Sequence, residues 1–160
     1  MADSPEKRVT EGDPAPDFAL PNDQGEIVRL ADFAGRTVVL FMYPKNNTPG
    51  CTREACDFRD RIERIQAAGA VVLGVSPDSV ASHQKFKAKH ALPYTLLSDE
   101  EAKAIRAYGA WVEKSMFGRK YWGVERSTFI IGPDGILRKV FRKVKVKGHV
   151  DEVLAALEQL

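Results

Sequence analysis

The chain has 160 residues, 44% apolar and 29% charged, enough for one ordinary globular domain that needs no disulfide to hold it. Its 24 basic and 22 acidic residues leave a formal charge of +2, too little to imply a nucleic-acid or membrane partner. No apolar run reaches the ~20 residues that span a bilayer, and the polar start lacks a secretory h-region. The expected setting is therefore the reducing cytoplasm, where two close cysteines are more often catalytic or metal-binding than structural.

Residues 1–16 carry three prolines and no periodicity; they read as an extended lead-in, flexible over 1–10. "FALPNDQGEIVRLADF" has two short apolar stretches around Asp23-Gln24-Gly25 and predicts a hairpin. "TVVLFMY" (37–43) is a continuous apolar run, as in a strand covered on both faces. Ala55, Phe58, Ile62 and Ile65 then recur at three and four, which predicts one helix running to about Ala68 and stopped by Gly69. "AVVLGV" (70–75) is a second buried strand, so this half is a parallel, right-handed βαβ unit.

A second helix is expected over about 79–91, then a short strand at "YTLLS" and a short helix in "DEEAKAIRAYG". Residues 110–125 read as a long loop. "RSTFII" and "ILRKVFRKVKV" flank Gly-Pro-Asp-Gly and should pair antiparallel. "HVDEVLAALEQL" closes the chain as an amphipathic helix with Val150, Val153, Leu154 and Leu157 on one face. The expected fold is α/β and thioredoxin-like: a central mixed β-sheet flanked by helices, with an N-terminal hairpin extension, all in one domain over 1–160.

Both cysteines lie in "YPKNNTPGCTREACDF" (43–58). Cys51 continues the apolar face of the first helix backwards, so it sits at the helix start and turns towards the sheet. Free N–H groups and the positive dipole end favour a thiolate there; thiols so placed have pKa values of about 3.5–7.5. Partial burial opposes this. Arg53 points away from it, so a helping cation has to come from another strand. Cys56 lies about 140° round the helix, on a wetter face with Asp60, Glu63 and Ala67. Five helical residues put the two Cα atoms about 8.6 Å apart, whereas a disulfide needs roughly 4.4–6.8 Å. A bond between them therefore requires the first turns to unwind. Two structural cysteines remain an open reading. A zinc site lacks ligands, and His83, His90 and His149 read as solvated surface residues rather than partners of a thiol.

The segment also carries a resemblance. Pro44-x-x-x-Thr48-x-x-Cys51 resembles the active-site signature of the peroxiredoxins, and "YPKNNTPGCTREACDFRD" is similar to the bacterioferritin comigratory protein subgroup, called Q-type in plants. The similarity continues through "VLGVSPDS", "LLSDEE", "YGAWVEKSMFGRKYWGVERSTFIIGPDG" and "KVKGHVDEVL", over roughly residues 10 to 158. It implies a thioredoxin-like fold and a thiol peroxidase acting on hydrogen peroxide and organic hydroperoxides. Cys51 would be the peroxidatic cysteine, passing through a sulfenic acid. Thr48 would hydrogen-bond thiolate and peroxide, Pro44 would shield the sulfur, and Arg126 would supply the missing cation. Glu54 would orient Arg126, or serve only as an acidic first-turn residue. Cys56 would resolve the sulfenic acid as an intramolecular disulfide reduced by thioredoxin or a similar dithiol protein. No metal, flavin or haem is implied, and the subgroup is mostly monomeric. Gly132 departs from the Asp of many relatives.

Two other classes of function compete with this one. A protein-thiol oxidoreductase or redox sensor would use the same disulfide without peroxide. A basic binding module would use Arg138, Lys139, Arg142, Lys143, Lys145 and Lys147, which otherwise read as the wet face of an edge strand. Trp111, Phe117, Tyr121 and Trp122 are expected to pack over a core edge, or else to line an entrance or a docking surface.

Overall fold

The structure, a computed structural model, describes residues 8–160. In chain order it runs β1 (Ala19–Pro21), β2 (Ile27–Arg29), a 3-10 turn (Leu30–Phe33), β3 (Thr37–Met42), α1 (Pro49–Asp60) and α2 (Ile62–Ala67). Then come β4 (Ala70–Ser76), α3 (Val80–His90), β5 (Thr95–Ser98) and α4 (Lys103–Ala107). The last part holds β6 (Trp111–Met116), β7 (Arg119–Val124), β8 (Ser127–Ile131), β9 (Leu137–Phe141) and α5 (His149–Glu158). Five strands form one sheet in the order β5-β4-β3-β8-β9. β3 pairs parallel with β4, and β4 parallel with β5; β8 pairs antiparallel with both β3 and β9. This is the expected mixed sheet, and β1–β2 is the expected hairpin.

Strand alternation splits the core in two. Val39, Phe41 and Tyr43 face α1, α2, α3 and α5 through Ala55, Phe58, Ile65, Phe86, Val153 and Leu154. Val38, Leu40 and Met42 face α4 and the β1–β2 hairpin through Leu20, Ile105 and Tyr108. Phe58 seats α1 on the sheet, its ring stacked 4.5 Å from that of Phe41; burying such a side chain contributes roughly 1.5–3 kcal/mol. Gly74 makes room for this stack, because a Cβ there would fall 2.9 Å from the Phe41 ring and 3.0 Å from Leu96.

Several expectations are corrected. The helix predicted to reach Ala68 breaks at Arg61, whose φ of −115° and ψ of 11° leave the helical region. The Arg61 guanidinium donates to the Asp57 carbonyl that its own amide gives up, and its Nε donates to Asp151 of α5 at 2.6 Å. The predicted loop at 110–125 is an antiparallel hairpin, β6–β7, standing apart from the main sheet. Its turn, Phe117-Gly118, has φ of 52° and 77°, both left-handed, as two-residue hairpin turns of the primed type require. The β9 strand stops at Phe141, short of the basic run's end, and Lys143 turns left-handed with φ of 49°. Arg142 folds inward onto the carbonyls of Val9, Tyr108 and Gly109, while Arg138 and Lys139 stay on the wet face of an edge strand.

His83 and His149 are buried, not solvated. Phe117, Tyr121 and Trp122 are exposed rather than packed on a core edge; Trp111 alone of the four is half-buried. The lead-in expectation falls partly on residues 1–7, which lie outside the described residues. Residues 8–16 run beside β9, with Gly12 donating to the Leu137 carbonyl and Leu137 to that of Asp13, each at 2.9 Å.

Candidate active site

Strand β3 delivers the chain through Tyr43 into a tight loop, Pro44 to Thr48, and α1 begins at once. Thr48 takes the N-cap position with extended backbone, and Pro49 fills the first helical position, where no N–H is needed. Thr48 makes no side-chain cap; its hydroxyl donates instead to the Lys45 carbonyl at 2.8 Å. The amides of Gly50 and Cys51 at the dipole end are thus left uncapped by that side chain. Cys51 is buried on the sheet side, 1% exposed, and Cys56 is half-buried on the other; both are free thiols on an intact helix.

Arg126 falls in the two-residue step between β7 and β8. Its Nη2 donates to Cys51 Sγ at 3.3 Å and its Nη1 to Glu54 Oε1 at 2.6 Å. One guanidinium therefore joins the thiol to the carboxylate one helical turn further on. Gly50 gives it space, since a Cβ there would lie 3.3 Å from Nη2. Glu54 is fully buried, and its Oε2 has no partner among the described residues. Burial pushes the Glu54 carboxyl up to about 7, against the opposing pull of Arg126. Pro44, half-buried, flanks the entrance to the loop.

The structure thus joins Cys51, Glu54 and Arg126 through hydrogen bonds, with Thr48 at the helix N-cap, Pro44 in the loop before it and Cys56 across the helix. It adds groups that the sequence reading passed over. Lys114 of β6 is half-buried, and its ammonium is held below the ordinary lysine value by burial and by repulsion from Arg126, with Cys51 and Glu125 opposing. It was missed because its segment read as loop. Tyr94, just before β5, donates its hydroxyl to the Ala55 carbonyl of α1 at 2.7 Å. Asn46 is buried within the loop itself. Among the described residues no group of three or more His, Cys, Asp or Glu is placed to hold a metal ion, and no helix is long and apolar enough to cross a membrane.

Comparison with known proteins places the whole chain in a family. Residues 11–140 match the model of the AhpC/TSA family. Peroxiredoxin Bcp of Bacillus subtilis is 52% identical over 149 residues, 93% of this chain and 95% of its own length. Peroxiredoxin Bcp of Escherichia coli is 43% identical over 148 residues, 92% and 95% of the two chains. Peroxiredoxin Q of Xanthomonas campestris superposes with a TM-score of 0.87 at 40% identity, covering 98% of each chain. The bacterioferritin comigratory protein of the same organism, studied for alkyl peroxide reduction, has a TM-score of 0.85 at 43% identity, covering 89% of this chain and 90% of its own. A thiol at the start of a helix, met by an arginine from the distant step between β7 and β8, thus sits in a chain that belongs to the AhpC/TSA family and, within it, to the Bcp peroxiredoxins.

Proposed function

We propose that this chain, acting as a single cytoplasmic domain and as a monomer, reduces hydrogen peroxide and alkyl hydroperoxides with Cys51 as the peroxidatic thiol. The observation that carries the reading is the Arg126 Nη2–Cys51 Sγ contact of 3.3 Å at a helix N-terminus. The alkyl substrates rest on the X. campestris relative studied for alkyl peroxide reduction. The Cys51 thiolate attacks one peroxide oxygen; an S–O bond forms, the O–O bond breaks, and sulfur gives up two electrons. The departing alkoxide or hydroxide takes a proton and leaves as alcohol or water, and Cys51 becomes a sulfenic acid. Arg126 and the helix-end amides stabilise the charge that moves onto oxygen. Thr48 has committed its own proton to Lys45, so it offers the peroxide O–H an acceptor. Pro44 screens the sulfur from water, and Glu54 fixes the guanidinium.

Cys56 then attacks the sulfenic sulfur; an S–S bond forms, and the S–O bond breaks with release of water. Both thiols lie in α1, where their Cα atoms are about 8.6 Å apart by helix geometry, so the first turns of α1 must open. A thioredoxin-type dithiol reduces the disulfide and is itself oxidised. The test is hydrogen-peroxide consumption with thioredoxin and its reductase. Wild type should turn over rapidly, Cys51→Ser not at all. Consumption by reduced wild type no faster than by a free thiol would reject the peroxidase and favour a protein-thiol oxidoreductase.

A further inference from the structure

Loops seldom bury polar side chains, yet Asn46, midway between Pro44 and Thr48, is 4% exposed. Every polar group of its side chain is engaged. Its Oδ1 accepts from the Tyr43 hydroxyl at 2.7 Å. Its Nδ2 donates to Ser82 Oγ at 3.1 Å and lies 3.0 Å from His83 Nδ1. Its backbone N–H donates to Asp78 Oδ2 at 2.9 Å, an oxygen that also accepts from Ser76 Oγ at 2.6 Å. Beside it, Lys45 receives the Thr48 hydroxyl and Asn47 is left-handed with φ of 65°. The shape of the Pro44–Thr48 loop thus hangs on one asparagine.

His83 of α3 fixes the polarity of that pin. Its Nε2 lies 3.0 Å from the Leu97 carbonyl, which can only accept, so Nε2 carries the proton. Nδ1 then holds a lone pair and accepts from the Asn46 amide, which at Nδ2 can only donate. Asn46 Oδ1 is in consequence turned to Tyr43, the last residue before the loop. Burial holds His83 below its ordinary 6.5, against the pull of Asp78 from the β4–α3 segment and Asp23 from the β1–β2 turn; this keeps Nδ1 free to accept.

We propose that Asn46 is a positioning residue of the peroxidatic site, and that His83 orients it, making α3 a structural part of that site. Through Asn46 the network sets where Pro44 and Thr48 stand over Cys51, without touching the reacting atoms. The inference rests on Cys51 being the peroxidatic thiol.

The experiment compares two reactions of reduced Cys51, each in single turnover in a Cys56→Ser background. Hydrogen peroxide needs the arranged loop, whereas iodoacetamide needs only an accessible thiolate. Asn46→Ala should slow oxidation by about tenfold or more, the scale on which small misplacements act, with alkylation unchanged or faster as the loop uncovers Cys51. His83→Gln keeps a donor for Leu97 but offers Asn46 no acceptor, and should lose as much. His83→Asn presents an oxygen near the former Nδ1 and should restore most of the rate. Should Asn46→Ala fail to fold, the two His83 variants decide alone. Equal oxidation rates in those two, or oxidation and alkylation falling in step, would overturn the inference. Failure of the peroxidase reading looks different: reduced wild type itself would then be slow.

Discussion

Glu54→Gln isolates the cost of the buried carboxylate. Glutamine keeps an oxygen for Arg126 Nη1 and puts an amide where Oε2 lacks a partner, but it cannot titrate. The glutamate has an ordinary value of 4.5 and a folded value of about 7, raised first by burial. For an acid raised in this way, the folded state binds the proton more tightly than the unfolded state. Its contribution to stability is therefore fully present below 4.5 and lost as pH rises through about 7. At ~1.4 kcal/mol per pH unit, the whole loss is about 3.5 kcal/mol, of which about 2.5 falls between pH 5 and pH 8. The difference between a glutamine and a protonated glutamate adds a constant offset, so the slope and not the level carries the test. Urea denaturation at fixed ionic strength, with both variants in a Cys51→Ser/Cys56→Ser background, excludes thiolate titration. His83 and His149, both lowered first by burial, lose stability as pH falls below 6.5; this opposite trend cancels between the variants. The Gln variant should gain about 2.5 kcal/mol on its Glu54 parent from pH 5 to pH 8. A difference constant across that range would mean that the Arg126 pair outweighs burial and that Glu54 stays ionised throughout.

Arg126→Lys should lower the second-order rate constant with peroxide by about 100-fold or more, measured by stopped-flow, because an ammonium cannot hold Cys51 and Glu54 in one planar fork. Cys56→Ser should leave the first oxidation intact but stop turnover with thioredoxin, and mass spectrometry after excess peroxide should find Cys51 sulfinate in place of a Cys51–Cys56 disulfide. Tyr94→Phe frees the Ala55 carbonyl; losing a bond of about 1 kcal/mol from the helical state should speed disulfide closure by up to about fivefold in rapid-quench mass mapping. Closure at the wild-type rate would show that this bond survives in the opened form.

The fold was largely legible because its signals are local. Continuous apolar runs gave the buried parallel strands, and three-four spacing gave the faces of α1 and α5. Tertiary partners decided what could not be read. Arg61 is a good helix former, yet its guanidinium is drawn to Asp57 and Asp151, and the helix breaks there. Phe117 opens a primed turn without the usual Asn or Asp, so β6–β7 read as loop. Within the site, Pro44, Thr48, Cys51 and Glu54 lie on one short stretch and their spacing is visible. Arg126, 75 residues from Cys51 in sequence, was found only through resemblance. The burial of His83 depends on contacts with β5 and the active-site loop, which no spacing encodes.

The anatomy of α1 explains how a helix so well seated could open at one end. Its first turns bury only small or polar groups, Cys51, Glu54 and Ala55, so exposing them forfeits little apolar area. The large anchor, Phe58, lies beyond Cys56 and can keep its stack on Phe41 while the start unwinds. No side-chain cap has to be broken at Thr48. Glu54 leans the same way: above about pH 7 it is an ionised group in a dry site, and opening returns it to water. What holds the helix shut is a small set of directional bonds: Arg126 to Cys51 and Glu54, and Tyr94 to Ala55. Oxidation of Cys51 acts on one of them directly. A neutral sulfenic acid attracts the guanidinium less than a thiolate does, so under the proposed mechanism the oxidation that calls for the helix to open also weakens its lock.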